Sequence, residues 1–189
     1  MTTDTGLIAI GGSAGSLQAI LKILEYLKPN YPIPVLLVLH RAFANPSPLE
    51  ELLRVKTGFK VKEIEEKDKI EPGYIYVCPP NYHVLTEANE TFSLDDSEKV
   101  NFSRPSIDVV FKSASDVFKD KLVCILLSGS NADGAEGIFY AKRNKSITVI
   151  QDPAEAQMPV MPRAAIRRSK ADHVLNTDEI TGFLNSLII

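Results

Sequence analysis

The 189-residue sequence predicts an α/β fold: a doubly wound, mostly parallel sheet flanked by helices, with an inserted antiparallel β-hairpin. Three observations carry that expectation. Apolar runs at Leu7–Ile10, Val35–Leu39 and Leu122–Leu127 have no polar alternation, which suits strands buried on both faces. Segments with apolar residues at helical spacing separate them. In the middle of the chain the pattern changes to period two: Lys60–Ile64, Gly73–Val77 and parts of Tyr82–Leu94 alternate. The breaks between these stretches, Glu71-Pro72-Gly73, Pro79-Pro80-Asn81 and Glu87-Ala88-Asn89-Glu90, are turn sequences.

Taken in order, a strand at Leu7–Ile10 runs into the turn Gly11-Gly12-Ser13-Ala14-Gly15 and a helix from about Ser16 to Lys28, with Leu17, Ile20, Ile23, Leu24 and Leu27 on one face. Prolines between 29 and 34 end it. The Val35–Leu39 strand stops at His40 and a Pro-containing loop follows. A short helix over Leu49–Lys56 has Ser47 as its cap and Pro48 at its first position. The alternating stretches read together as an antiparallel hairpin or ribbon. Pro105 then opens a helix to about Lys119, with Ser103 or Arg104 near its cap. The Leu122–Leu127 strand leads through Ser128-Gly129-Ser130-Asn131-Ala132-Asp133-Gly134 into a helix over Gly134–Arg143. Ser146–Ile150 is the next strand, Gln151–Pro162 a loop, and two helices near Arg163–Ser169 and Thr177–Leu187 close the chain.

Composition narrows the function classes. A hydrophobic fraction of 44% is enough for a sizeable core in one domain spanning residues 1–189. A net charge of −3 argues against nucleic acid and against an anionic membrane surface as partners. No run approaches the ~18 apolar residues of a membrane span, and no signal peptide opens the chain, so a cytoplasmic protein is expected. Cys78 and Cys124 each sit in an apolar run and read as buried thiols. His40, His83 and His173 lack metal-ligand spacing, so neither a metal nor a cofactor is expected.

The informative stretch is Gly11-Gly12-Ser13-Ala14-Gly15, in which Gly11 to Gly15 has the G-x-S-x-G spacing of a nucleophile elbow. Such a turn lifts a serine hydroxyl clear of the backbone, with a helix N-terminus behind it to favour an oxyanion. Phosphate binding would use the same geometry, but neither standard nucleotide fingerprint is present. Ligands of parallel sheets bind beyond the carboxyl ends of the strands. Ser13, His40 and Asp133 all follow strands at that edge, so they form a candidate nucleophile, base and orienting acid. Asp152, which follows the Ser146–Ile150 strand, is a rival acid. Asp108 lies inside a helical pattern and reads as either exposed or a first-turn charge.

These motifs together resemble the catalytic domain of the CheB-type chemotaxis receptor protein-glutamate methylesterases. The resemblance rests on Ile10 to Gly15, the strand ending in His40, Tyr76-Val77-Cys78-Pro79-Pro80 with Asn81 and His83 beyond it, Arg104 to Phe111, Leu127 to Ala135, and Met161-Pro162-Arg163-Ala164-Ala165. It implies a doubly wound α/β domain with a hairpin, and hydrolysis of glutamate methyl esters on methyl-accepting receptors with release of methanol. Some members of the family also deamidate receptor glutamines. By motif position the nucleophile falls on Ser13, the base on His40 and the acid on Asp133, in preference to Asp152.

The family mechanism implies an oxyanion held by the N–H of Ala14 and one from Gly129, Ser130 or Asn131. Met161 belongs to the same pocket loops, and Arg41, Arg104 and Arg163 are candidates for meeting an acidic helical surface on the receptor. The expected partner is therefore the cytoplasmic helical domain of a receptor. Several pocket positions depart from the family pattern: Ala14 replaces a hydroxyl residue, Ser16 a glycine, Ser130-Asn131 a Met-Gly pair, Arg41-Ala42 a Met- or Leu-containing pair with a proline, and Pro159-Val160 an aromatic-Gly pair. With six residues before the first strand, no receiver domain is expected in the chain, and control would fall to a separate receiver or a fusion partner. A serine esterase or amidase for another substrate, and a non-catalytic receptor-binding module, remain the other two classes.

Overall fold

The computed structural model describes residues 5–41 and 48–188. Its main sheet is parallel throughout, in the spatial order Lys60–Glu63, Tyr74–Val77, Val35–Leu39, Leu7–Gly12, Leu122–Leu126, Ile147–Gln151, His173–Leu175. The strands are β1 (Leu7–Gly12), β2 (Val35–Leu39), β3 (Lys60–Glu63), β4 (Tyr74–Val77), β7 (Leu122–Leu126), β8 (Ile147–Gln151) and β9 (His173–Leu175). A separate antiparallel pair, β5 (His83–Thr86) and β6 (Phe92–Asp95), is the hairpin. The helices are α1 (Ser16–Glu25), α2 (Pro48–Thr57), α3 (Ile107–Phe118), α4 (Ala135–Arg143), α5 (Val160–Arg168) and α6 (Thr177–Ser186).

Each apolar strand serves two cores because successive side chains point to opposite faces. On one face Leu7, Ala9, Leu36, Val38, Leu122, Cys124 and Leu126 pack with Phe111 of α3, Ile138 of α4, Met161 of α5 and Val84 and Phe92 of the hairpin. On the other, Ile8, Ile10, Leu37, Val123 and Ile125 pack with Ile23 of α1, Leu53 of α2 and Ile180 of α6. This explains why the central strands carry no polar alternation. Both cysteines are free and buried.

Two readings of the middle and end of the chain are corrected. Lys60–Glu63 and Tyr74–Val77 are not part of the antiparallel ribbon; they join the main sheet as parallel strands at and beside its edge. Period-two alternation is the same for a half-exposed edge strand and a ribbon, and only a distant partner separates them. Strand β9 was not anticipated; three residues carry too little pattern. The Ser47 cap lies outside the described residues.

β1 lies between β2 and β7, so the chain winds away from it in both directions and the switch point is at its carboxyl end. The close packing there depends on glycine. Gly11 lies where an added Cβ would come within 2.5 Å of Ile107 Cγ2, which lets α3 approach the strand. Gly134 has φ 91°, and a Cβ there would meet Leu126 Cδ1 at 2.4 Å. Gly134→Ala therefore combines a left-handed backbone with an overpacked core. It is expected to lower stability by about 2–4 kcal/mol, read as a lower urea midpoint with an unchanged denaturant slope.

Candidate active site

Register brings the first two residues together. Gly12 pairs with Leu39 across β1 and β2, so the next residues on the two strands are Ser13 and His40. The His40 N–H donates to Gly12 O at 3.3 Å, extending the ladder by one step. On the other side Ser13 N–H donates to Ser128 O at 2.9 Å, which fixes the elbow against the end of β7. Gly15, with φ 78°, turns the chain into α1, and the Ser16 hydroxyl donates to Ser13 O at 2.7 Å. Ser128 ties the elbow to the neighbouring loop: its hydroxyl donates to Ala14 O at 2.7 Å and accepts from Met158 N–H at 2.9 Å.

The third residue arrives through helix ends. Asp133 precedes α4, yet its carboxylate lies at the N-terminus of α3, where it accepts from Ile107 N–H at 2.7 Å and Asp108 N–H at 3.2 Å. It also accepts from the Ser106 hydroxyl at 2.8 Å and from Asn101 Nδ2 at 3.3 Å. His40 Nε2 completes the set, 2.8 Å from Oδ2. Asp133 is fully buried. Burial works against its charge, but the His40 contact and the donors at the end of α3 outweigh it and hold the carboxyl below the ordinary range. A carboxylate can only accept, so Nε2 carries the hydrogen of that contact, and in the neutral ring the lone pair is on Nδ1. Nδ1 has the Ser103 hydroxyl 3.5 Å away, a loose contact. The Ser13 hydroxyl makes no hydrogen bond to His40 or to any other group among the described residues; Ser13 is half-buried.

The remaining predicted site residues are distributed around this centre. The N–H groups of Ala14, Ser130 and Asn131 are not taken by another group among the described residues, whereas Gly129 N–H donates to Met158 O at 3.0 Å and is spent. Met161 is buried with its side chain against Gly129, supporting the loop from beneath. Arg41 is drawn inward to Glu63 at 2.6 Å and Glu50 at 3.0 Å. Arg104 Nη1 donates to the Asp96 and Ser97 carbonyls at 2.5 and 2.7 Å. Arg163 is exposed on α5. Asp152 is occupied by its own turn, where it accepts from Ala154 N–H at 2.8 Å.

For Asp108 the exposed reading is corrected and the first-turn one agrees with the structure: it is buried in the first turn of α3, and its Oδ1 accepts from Gly137 N–H at 2.7 Å. Asn101, Ser103 and Ser106 were not singled out as site residues. Ser106 lay inside the Arg104–Phe111 motif, but nothing local marks a serine as a ligand of a carboxylate 27 positions on.

A cleft of about 370 Å³ opens beside His40, lined also by Arg41, Asn81, Lys99, Phe102 and Ser103. A larger cleft, about 670 Å³, lies at the amino ends of β3 and β4 around Lys28, Phe59 and Gly73, away from His40 and Asp133.

The profile of the CheB methylesterase family matches residues 8–184. The chain belongs to the CheB methylesterase family. It is 44% identical over 173 residues to the putative protein-glutamate methylesterase/protein-glutamine glutaminase of Leptospira interrogans, covering 92% of this chain and 90% of that one. It is 29% identical over 185 residues to the protein-glutamate methylesterase/protein-glutamine glutaminase of Thermotoga maritima, and spans 54% of that protein's length. For the corresponding Pseudomonas aeruginosa enzyme the identity is 33% over 175 residues, and 47% of that protein is spanned. The crystal structure of the Thermotoga maritima CheB methylesterase catalytic domain superposes with a TM-score of 0.91 at 29% identity, covering 97% of this chain and 98% of that one. The likeness therefore extends over the whole doubly wound sheet. Among the described residues no helix is long and apolar enough to cross a membrane.

Proposed function

We propose that this chain, as one catalytic unit over residues 1–189, hydrolyses glutamate methyl esters on the cytoplasmic helical domain of methyl-accepting chemotaxis receptors and releases methanol. The observation that carries this reading is the His40–Asp133 pair, 2.8 Å apart, set one strand away from Ser13 in a chain of the CheB methylesterase family. The same attack on a side-chain amide, with ammonia leaving, gives glutamine deamidation, which the relatives' names also include.

In the proposed reaction His40 Nδ1 takes the Ser13 proton as Oγ attacks the ester carbonyl. Asp133 stays ionised, keeps the hydrogen on Nε2 and stabilises the imidazolium. The oxyanion accepts from Ala14 N–H and from an N–H of Ser130 or Asn131. Methanol leaves with the proton from His40, and water then repeats the steps to free the carboxylate and regenerate Ser13. Formation of the Ser13–His40 hydrogen bond waits for substrate, which displaces the loose Ser103 contact; hydrogen bonds of this kind often tighten only in the complex.

The receptor side of the cleft is proposed to include Phe102, which is 98% exposed with φ 62°. Lys99 and Arg104 flank it, a pairing of one apolar ring with cations that suits an acidic amphipathic helix. Phe102→Ala is expected to raise KM for methylated receptor roughly 3- to 10-fold, with kcat and the hydrolysis of a small ester unchanged.

The decisive experiment is incubation of the protein with a methylated receptor fragment, followed by methanol assay and peptide mass. Loss of one methyl per site supports the reading; retention of every methyl overturns it. A covalent adduct on Ser13 from a serine-directed phosphonate separates an esterase of other specificity from a non-catalytic module.

A further inference from the structure

We propose that Asp108 is a positioning residue for the His40–Asp133 pair: its buried carboxyl group, bridged to that of Asp133 by the Asn101 amide, governs the charge and orientation of the carboxylate on which the imidazole rests. This rests on the catalytic reading above and extends it one residue further from the reacting atoms.

The geometry is reciprocal. Asp133, just before α4, accepts the first N–H groups of α3; Asp108, in the first turn of α3, accepts Gly137 N–H in the first turn of α4. Each helix thus seats its positive end on the other's carboxyl group. Asn101 Nδ2 donates to Asp108 Oδ2 at 2.7 Å and to Asp133 Oδ1 at 3.3 Å, using both of its hydrogens. To aim that amide the chain holds Asn101 and Phe102 in left-handed backbone, at φ 51° and 62°, closed by the paired bonds between Val100 and Ser103.

Two carboxyl groups this close and this buried do not both ionise without cost. Asp133 has the larger donor set and keeps the charge. Burial first, then the Asp133 charge, pushes Asp108 up to about 7. Below that pH the neutral carboxyl leaves a single negative charge behind His40. Above it a second charge appears, Asn101 is shared between two anions, and the imidazolium is favoured over the free base. The other charged or titratable groups near Asp108 are Glu136, Arg167 and Arg168 along the adjoining cleft and His83, whose Nδ1 accepts from Ser106 N–H at 3.2 Å. Arg168 is paired with Glu136, and His83 donates through Nε2 to Glu98 O.

The test is NMR titration of the whole protein, wild type and Asp108→Asn, reading the His40 ring and the Asp108 side-chain carbon, beside the pH profile of kcat on a small ester. In wild type the Asp108 carbon is expected to titrate near neutrality and the His40 curve to be broadened by it. In Asp108→Asn the His40 curve becomes a single step and moves down by roughly 0.5–1 pH unit, with the rising limb of kcat following it. An Asp108 carbon that titrates near pH 4 overturns the proposal, and needs no variant. A His40 curve identical in the two proteins, with kcat lowered equally at all pH values, also overturns it and leaves Asp108 a purely structural residue. Because the titrations do not require turnover, failure of the methylesterase reading would leave them interpretable.

Discussion

Ser13→Ala is expected to abolish methanol release from methylated receptor, with kcat falling by more than roughly 10³-fold, while the melting temperature stays within about 1–2 °C of wild type. The separation of the two effects follows from the local structure. The Ser13 hydroxyl has no hydrogen-bond partner among the described residues and the residue is half-buried, so its loss leaves nothing unpaired and opens no cavity. The elbow itself is held by Ser13 N–H on Ser128 O and by the Ser16 hydroxyl on Ser13 O, both of which alanine keeps. Methanol release at the wild-type rate in this variant would remove Ser13 from the mechanism.

Asp133→Asn should show the opposite combination, a large loss of both activity and stability. The amide cannot accept at both ends, so its NH₂ faces one of the donors that now converge on the carboxylate: His40 Nε2, Ile107 N–H, the Ser106 hydroxyl or Asn101. A kcat loss of about 10³–10⁴ is expected from the wrong tautomer of His40. A stability loss of about 2–3 kcal/mol is expected from unpaired buried donors at the end of α3. Urea melts against pH give a second signature. In the native state Asp133 is held below the usual carboxylate range, so its contribution is present above about pH 4 and lost as the pH falls through the native value. Asn at 133 removes that acid-side loss. Asp108 has the reverse sign: raised to about 7, it contributes below about pH 4 and its contribution is lost as the pH rises through 7. A variant with wild-type stability and normal turnover would dissociate Asp133 from both roles.

The sequence-level expectations stood or fell with the range of the interactions they described. The turn at Ser13 was legible because it is a local device: glycines, a small hydroxyl and the following helix lie within ten residues. His40 was legible because its strand is continuous and apolar and ends there. Asp133 took two steps, since Asp152 also follows a strand; motif resemblance favoured Asp133, and the structure brings it to 2.8 Å from His40 while Asp152 closes its own turn. The edge strand Lys60–Glu63 looked like a ribbon because alternation does not say whether the neighbour runs parallel. Asp108 looked exposed because an acidic residue in a first helical turn needs no partner; here the N-terminus of a second helix supplies one.

What the sequence determined alone is whatever depends on near neighbours: buried strands without alternation, amphipathic helices, the sharp turn that presents Ser13, and the placing of Ser13 and His40 at strand ends. What the tertiary structure decided is which distant groups share those ends: the pairing of β1 with both β2 and β7, the convergence of α3 and α4, and the set of Asn101, Ser106 and Asp108 around Asp133. The physical reason is that hydrogen-bond donors for a buried carboxylate are recruited through space. A chain can specify where such a charge must be paired only by folding two helix ends onto it.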